Sequence, residues 1–411
     1  RMLEGSPSLV PNGRVKTLAA HHGCGQKAGA AAVVLMSEAC RVMQTSPKSA
    51  ASAGSMPSTS NSMLTPFASP TASVGRGVEA LEEVNFEVTS REVQEWSPQD
   101  FEFQRTLERA GRNQGTVDLM KRINDGSFVA VKVMPISWTC TSHQQHLRDH
   151  PEDSENPWVD LGIVRYLSKK GAMFLCHSHG IFRDSAWLYC VSDFATEGDL
   201  FRFVSRGPDP GHRREEALRP FMVQLFSAMR YLHDHYIAHC DVSMENILVT
   251  KSPTDGHLEV KVIDFSMAVV GEKLICGTRG KPSYRAPEMA VAPLYDPFLA
   301  DCFGMGVILF SAAARTYPWM STIKGRCKCF DYVLDHGHRK FWKTRKIKKT
   351  QPTQNVHQCF SEELKVLAEG LLALEPSARF CMEEAVCQSW LHGDDTVTHT
   401  PFGSKAQGHK D

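Results

Sequence analysis

The sequence predicts an α+β fold, strand-rich in its first part and mainly helical after it, at a length that makes two lobes plausible. From Phe101 to Val133, short runs suited to strands are broken by tight turns such as Asn124-Asp125-Gly126, the pattern of hairpins. From Glu215 to His233 apolar residues recur at helical spacing, and the helical pieces Glu362–Leu374 and Met382–Leu391 follow. A chain of 411 residues with 42% hydrophobic content is long enough to build one large core or two medium ones.

Ahead of these elements, residues 1–95 read as a disordered leader, because Ser, Ala, Pro and Thr dominate from Arg41 to Arg76 and leave little to pack. Its Ser-Pro steps at Ser46 and Ser69 are phosphorylation candidates, although a solvated linker explains them as well. Lys plus Arg and Asp plus Glu balance at 46 each, so no global field points to nucleic acid or a membrane surface. The 13 cysteines are odd in number and scattered through apolar segments, which suits reduced thiols and a cytoplasmic setting. No apolar run reaches the ~18 residues a spanning helix needs, so no transmembrane segment is expected. Oligomeric state leaves no mark in the sequence.

Within the small lobe, the turn Ala110-Gly111-Arg112-Asn113-Gln114-Gly115-Thr116-Val117 precedes the strand Val129-Ala130-Val131-Lys132. Asn156 to Leu167 has helical periodicity with Pro157 near its start. The insertion Ser137–Asp153 carries His143, His146 and His150, a spacing read as surface histidines rather than ligands. A strand from Ser185 to Phe194 then leads through Thr196-Glu197-Gly198-Asp199 into the larger lobe. There the polar loop Ile237–Val249 places Asp241 and Asn246 five residues apart, which aims a proton acceptor and a metal-ligand oxygen into one space. The strand Leu258–Ile263 delivers a second carboxylate in Asp264-Phe265-Ser266.

Taken in order, these segments resemble the motifs of eukaryotic protein kinases over residues 101–393, with a small lobe at 101–193, a large lobe at 198–393 and a loose tail at 394–411. The resemblance implies an α+β bilobal fold, a small β-rich lobe with one main helix beside a larger mainly helical lobe, and a serine/threonine kinase that uses ATP and Mg²⁺ and acts on a protein substrate. It implies that Lys132, positioned by Asp160, holds ATP phosphates, that Asp241 orients the substrate hydroxyl, and that Asn246 and Asp264 ligate magnesium. Gly111, Gly115, Val117 and Ala130 would then border the nucleotide. Asp193 and Ala195 would meet the adenine edge through their backbone, Ser192 would guard the pocket behind it, and Asp199 would reach the ribose. The same resemblance implies a buried pair between Glu288 of Ala286-Pro287-Glu288 and Arg379, and a backbone anchor at Asp301.

Several positions depart from the family pattern. Ala110 and Arg112 replace loop glycines, Asp160 stands where glutamate is usual with Glu155 as a rival, Cys240 replaces the loop arginine, and Ser266 replaces the turn glycine. The family's lysine two residues after the catalytic aspartate is Ser243 here, and its activation-segment threonine is Lys281. Either the ammonium and hydroxyl have exchanged sides, so that Lys281 and Ser243 serve catalysis together, or Lys281 points to solvent. A competing reading of the departures is a pseudokinase that acts as a binding or scaffolding module. Two further clusters stand outside the motifs. The basic run Arg339–Lys349 suits a solvated face or an acidic docking site. Cys327 and Cys329 with His336 and His338 suggest zinc only weakly, since the cysteine spacing is shorter than usual.

Overall fold

The computed structural model describes residues 86–110, 114–347, 350 and 352–393. The leader through residue 85, Gly111, Arg112 and the tail from residue 394 lie outside these. The folded domain starts earlier than composition suggests, which corrects the leader boundary at 95. Val88 is buried with Met134, Trp158, Leu161 and Leu188. The strand β1 (Val93–Glu95) pairs in parallel with β5 (Ser178–Arg183). So short a stretch has no period for a sequence reading to detect. The Phe86 carbonyl lies so close to the helix Pro157–Lys169 that a Cβ at Gly162 would collide with it, which requires glycine there. An ion pair between Glu92 and Arg165 closes the same seam.

The sheet runs in the order β1-β5-β6-β4-β3-β2, where β2 is Phe101–Arg109, β3 is Thr116–Arg122, β4 is Phe128–Pro135 and β6 is Trp187–Asp193. Register sets Lys132 opposite both Val117 and Cys190, and Ala130 opposite Leu119 and Ser192. Because alternate residues share a face, Val117, Ala130, Lys132 and Ser192 lie on one side of the sheet. On the other side Val129, Val131, Tyr189 and Val191 pack under Trp96 and Phe101, whose rings stack at 4.7 Å.

The larger lobe is built on two helices. His212–Asp234 buries Leu218, Phe221, Met222, Leu225 and Met229 along one face, and Pro297–Ala314 is buried nearly all round. The second is 18 residues long with a mean hydropathy of 1.6, enough by length and composition to cross a bilayer, although no such run was evident from sequence. Protein rather than lipid surrounds it, since 89% of it is buried in the fold, and it carries Asp301. Arg379 Nη2 donates to Glu288 Oε2 at 2.9 Å and its Nε to the Ala373 carbonyl at 3.0 Å, so this fully enclosed pair is hydrogen-bonded on several sides.

The helix Lys328–Thr344 breaks at Gly337, where φ is 74°. The next residue, His338, is enclosed by Trp319 and Trp342, and burial pushes its pKa down from 6.5 to about 4. The unfolded chain therefore binds a proton between pH 6.5 and 4 that the folded chain refuses, and stability falls as pH drops through that window. From pH 7 to 5 this one group should remove about 2 kcal/mol of stability. Urea unfolding at both pH values measures it, and His338→Phe should show a smaller drop than the parent. An equal drop in the two proteins would remove His338 as the cause.

Candidate active site

The catalytic-loop backbone is fixed from below. Asp301 accepts the His239 N–H at 2.7 Å and the Cys240 N–H at 2.8 Å. Cys240 adopts a φ of 62°, which turns the chain toward Asp241. His239 is buried, and because its Nδ1 accepts the Asp241 N–H at 3.3 Å, its Nε2 carries the proton and donates to the Ile263 carbonyl at 3.1 Å. The imidazole thus ties the Asp241 loop to the strand that ends at Asp264 and plays a positioning part.

Lys132 crosses from the sheet to this region. Its Nζ lies 2.8 Å from Asp160 Oδ2 and 3.4 Å from Asp264 Oδ1. The partner on the helix is therefore Asp160 and not Glu155. Burial opposes the Lys132 charge, but the Asp160 and Asp264 carboxylates more than offset it and hold the pKa above the usual lysine value. The Lys132 charge in turn draws the Asp264 carboxyl below its ordinary range, against the opposing effect of desolvation. Asp160 Oδ1 also accepts the Phe265 N–H at 2.9 Å, so the shorter side chain spans both partners with its two oxygens.

Across the cleft, Lys281 Nζ stands 2.7 Å from Ser243 Oγ, 3.3 Å from Asp241 Oδ2 and 3.3 Å from Asn246 Oδ1. Of the two sequence alternatives, these contacts favour the site, while the Lys281 side chain keeps 39% of its surface in solvent. Its backbone N–H also reaches Asp241 Oδ1 at 3.1 Å. That approach depends on Gly280, where φ is +73° and a Cβ would come within 2.9 Å of the Cys240 carbonyl. Asn246 Nδ2 donates to both the Asp241 carbonyl and Oδ2 at 2.8 Å, leaving its amide oxygen turned toward Lys281.

The remaining nucleotide candidates are less uniform. Val117 and Ala130 lie on the Lys132 face of the sheet, and Gly115 is buried with its carbonyl accepting the Ala110 N–H at 2.8 Å. The Asp193 carboxylate is engaged by His179 at 2.7 Å and the His177 N–H at 3.0 Å, and its own N–H donates to the His177 carbonyl. Ala195 is buried beside it. Asp199 caps the helix Leu200–Ser205 by accepting the Arg202 N–H at 2.7 Å, a bond that any ribose hydroxyl would have to share.

One residue escaped the sequence reading. Arg279 Nη1 donates to the Ser154 carbonyl at 3.1 Å and the Met267 carbonyl at 3.0 Å, which ties the segment after Asp264 to the chain just before the Asp160 helix. It belongs to no spaced motif, so nothing in the sequence marks it. Among the described residues, Cys327, Cys329, His336 and His338 do not gather into a candidate metal cluster. Cys327 Sγ accepts the Met320 N–H at 3.5 Å and Cys329 Sγ an Arg345 N–H at 3.2 Å.

The sheet-borne Lys132 thus meets Asp264 at the end of a strand that His239 ties to the Asp241 loop. The chain belongs to the protein kinase family, whose model, described as Protein kinase domain, matches residues 110–391. It is 24% identical over 294 residues to the serine/threonine-protein kinase SIK1 of Rattus norvegicus, covering 69% of this chain and 34% of that one. It is 27% identical over 222 residues to kin-29 of Caenorhabditis elegans, covering 54% and 24%. Serine/threonine-protein kinase 33 of Bos taurus is 28% identical over 235 residues, covering 55% and 45%. The match spans less than half the length of each of these relatives.

Proposed function

We propose that this chain transfers the γ-phosphoryl group of ATP to a serine or threonine hydroxyl of a protein. The observation that carries the reading is the Lys132 ammonium, held at 2.8 Å by Asp160 and at 3.4 Å by Asp264, on the sheet face opposite the Asp241 loop. In that position it meets the phosphates of ATP while Asp241 takes up the proton of the acceptor hydroxyl. Lys281 supplies positive charge where negative charge develops on the transferring group. Asp264, 3.4 Å from Lys132, and the Asn246 amide oxygen, 3.3 Å from Lys281, are the hard oxygen donors that would hold Mg²⁺. Mg²⁺ held there would offset the negative charge of the phosphate oxygens. The names of the relatives support serine or threonine as the acceptor. The test incubates the full chain with γ-labelled ATP, Mg²⁺ and peptide pools carrying Ser, Thr or Tyr. Label on Ser or Thr is expected. A thermal shift with ATP but no transfer to any pool would favour a binding module.

Activity should also be independent of phosphate on the segment after Asp264. An arginine in the Cys240 position would need such a phosphate to balance its charge. Cys240 is instead buried, its thiol pushed well above the usual range by burial, and Arg279 already ties the segment down without a phosphate. Exhaustive phosphatase treatment, followed by phosphatase removal, should leave the rate within about twofold. A collapse in rate would show that Thr278 or Ser283 must be phosphorylated.

A further inference from the structure

The segment between β4 and the Pro157–Lys169 helix folds into two short helices, Ile136–Thr139 and His143–Asp149. At their junction Cys140 takes a φ of 60°, a conformation that a residue with a side chain keeps only when its surroundings hold it there. The bend brings Cys140 Sγ and one ring nitrogen each of His146 and His150 within 4.8 Å of one another. Cys140 and His146 are only 5% and 1% exposed, and His150 is half-buried. The sequence reading of surface histidines therefore fails for His146. The two histidines are four residues apart, the spacing that sets two imidazoles on one side of a helical turn.

The surroundings of the histidines point to a ligand. Histidines that bind metal usually donate their second ring N–H to a carbonyl or carboxylate, which fixes the ring. Here His146 Nδ1 lies 3.0 Å from the Trp138 carbonyl, and His150 Nδ1 lies 3.4 Å from Asp153 Oδ2. His146 Nε2 faces a second carbonyl, that of Glu155, at 3.4 Å. A neutral imidazole has one N–H and cannot serve two carbonyls, so one ring nitrogen directs a lone pair at an oxygen. A metal ion taken up on that nitrogen's lone pair removes the conflict. Asp149 Oδ2, 3.7 Å from Cys140 Sγ, offers a fourth donor from the same turn.

We propose that Cys140, His146 and His150 bind a Zn²⁺ ion, with Asp149 or a water in the fourth position. A thiolate with two imidazoles suits zinc and excludes the hard cations magnesium and calcium. Tetrahedral zinc with bonds of about 2.3 Å to sulfur and 2.0 Å to nitrogen needs ligand atoms roughly 3.3–3.6 Å apart, which side-chain rotation can reach from the present spread. Binding would displace the Cys140 thiol proton, because the thiolate is the zinc ligand. The site lies beside the catalytic framework, because the Thr139 carbonyl accepts the Trp158 indole N–H at 2.7 Å at the start of the helix that carries Asp160. A bound ion would pin that helix end from outside the nucleotide cleft.

The test uses the full chain, purified without chelator, with metal content measured by mass spectrometry and Zn²⁺ exchanged for Co²⁺. About one zinc per chain is expected, and the cobalt form should show tetrahedral d–d bands with a thiolate-to-cobalt charge-transfer band. Cys140→Ser should abolish the charge-transfer band. His150→Gln, at a half-buried position that does not open the core, should weaken cobalt binding at least about tenfold and decides the matter if Cys140→Ser does not fold. The paired change Cys327→Ser and Cys329→Ser should leave the spectrum untouched. Metal-free protein that rejects cobalt would overturn the proposal. So would a charge-transfer band that survives Cys140→Ser, or cobalt affinity unchanged in His150→Gln.

Discussion

Lys132→Met, Asp241→Asn and Asp264→Asn should each lower kcat/KM by about 10²–10⁴-fold with the fold intact. The first removes the ammonium that Asp160 and Asp264 hold, and methionine retains most of the aliphatic stem. The second keeps the Asp241 shape but cannot accept a proton. The third strips the charge from the carboxylate beside Lys132 and from the proposed magnesium site. These groups position nucleotide, nucleophile and charge, the dominant contributions in phosphoryl transfer. Steady-state rates on a Ser or Thr peptide measure the losses, with circular dichroism as the folding control. Variants that turn over as fast as the parent would remove the catalytic assignment of these three residues.

The next largest effect is expected at Lys281 and Ser243. Because Lys281 Nζ touches Ser243 Oγ, Asp241 and Asn246 together, Lys281→Thr should leave the site without its ammonium and lower kcat/KM by about 10²-fold. Ser243→Lys alone would press two ammonium groups into one contact and should lower it comparably. Combined, the two changes return one ammonium and one hydroxyl from opposite sides. The double variant should then recover activity, with a coupling energy of about 0.5–3 kcal/mol. A loss equal to the sum of the two single losses would show that the residues act separately.

Much of this site was legible in the sequence because its residues sit at spacings that local structure enforces. Asp241 and Asn246 share one loop, Lys132 ends a strand, and Asp264 follows another. The Glu288 and Arg379 contact came from the family likeness alone, since nothing local links residues so far apart. Other features had no local mark. Phe86 to Glu95 joins the fold through one buried valine, a three-residue strand and a carbonyl seated on Gly162. Cys140 shares no spacing template with His146 and His150, and its positive φ turns the chain so that its Sγ lies near them. The commitments of Asp193 and Asp199 to neighbouring groups were equally hidden, because hydrogen-bond partners are chosen by tertiary packing.

The two-handed grip of Asp160 bears on which small molecules this protein will admit. One oxygen holds Lys132 and the other holds the Phe265 N–H, while the Phe265 ring is fully buried. A compound confined to the adenine side of the cleft leaves both bonds in place. A compound that must expel the Phe265 ring to reach deeper space has to break the second bond and strand a buried carboxylate oxygen, a penalty of about 1–3 kcal/mol before any contact of its own is counted. Chemical series should therefore divide by depth, the shallow scaffolds losing little potency here and the deep ones about 10–100-fold relative to kinases whose turn is not tethered in this way.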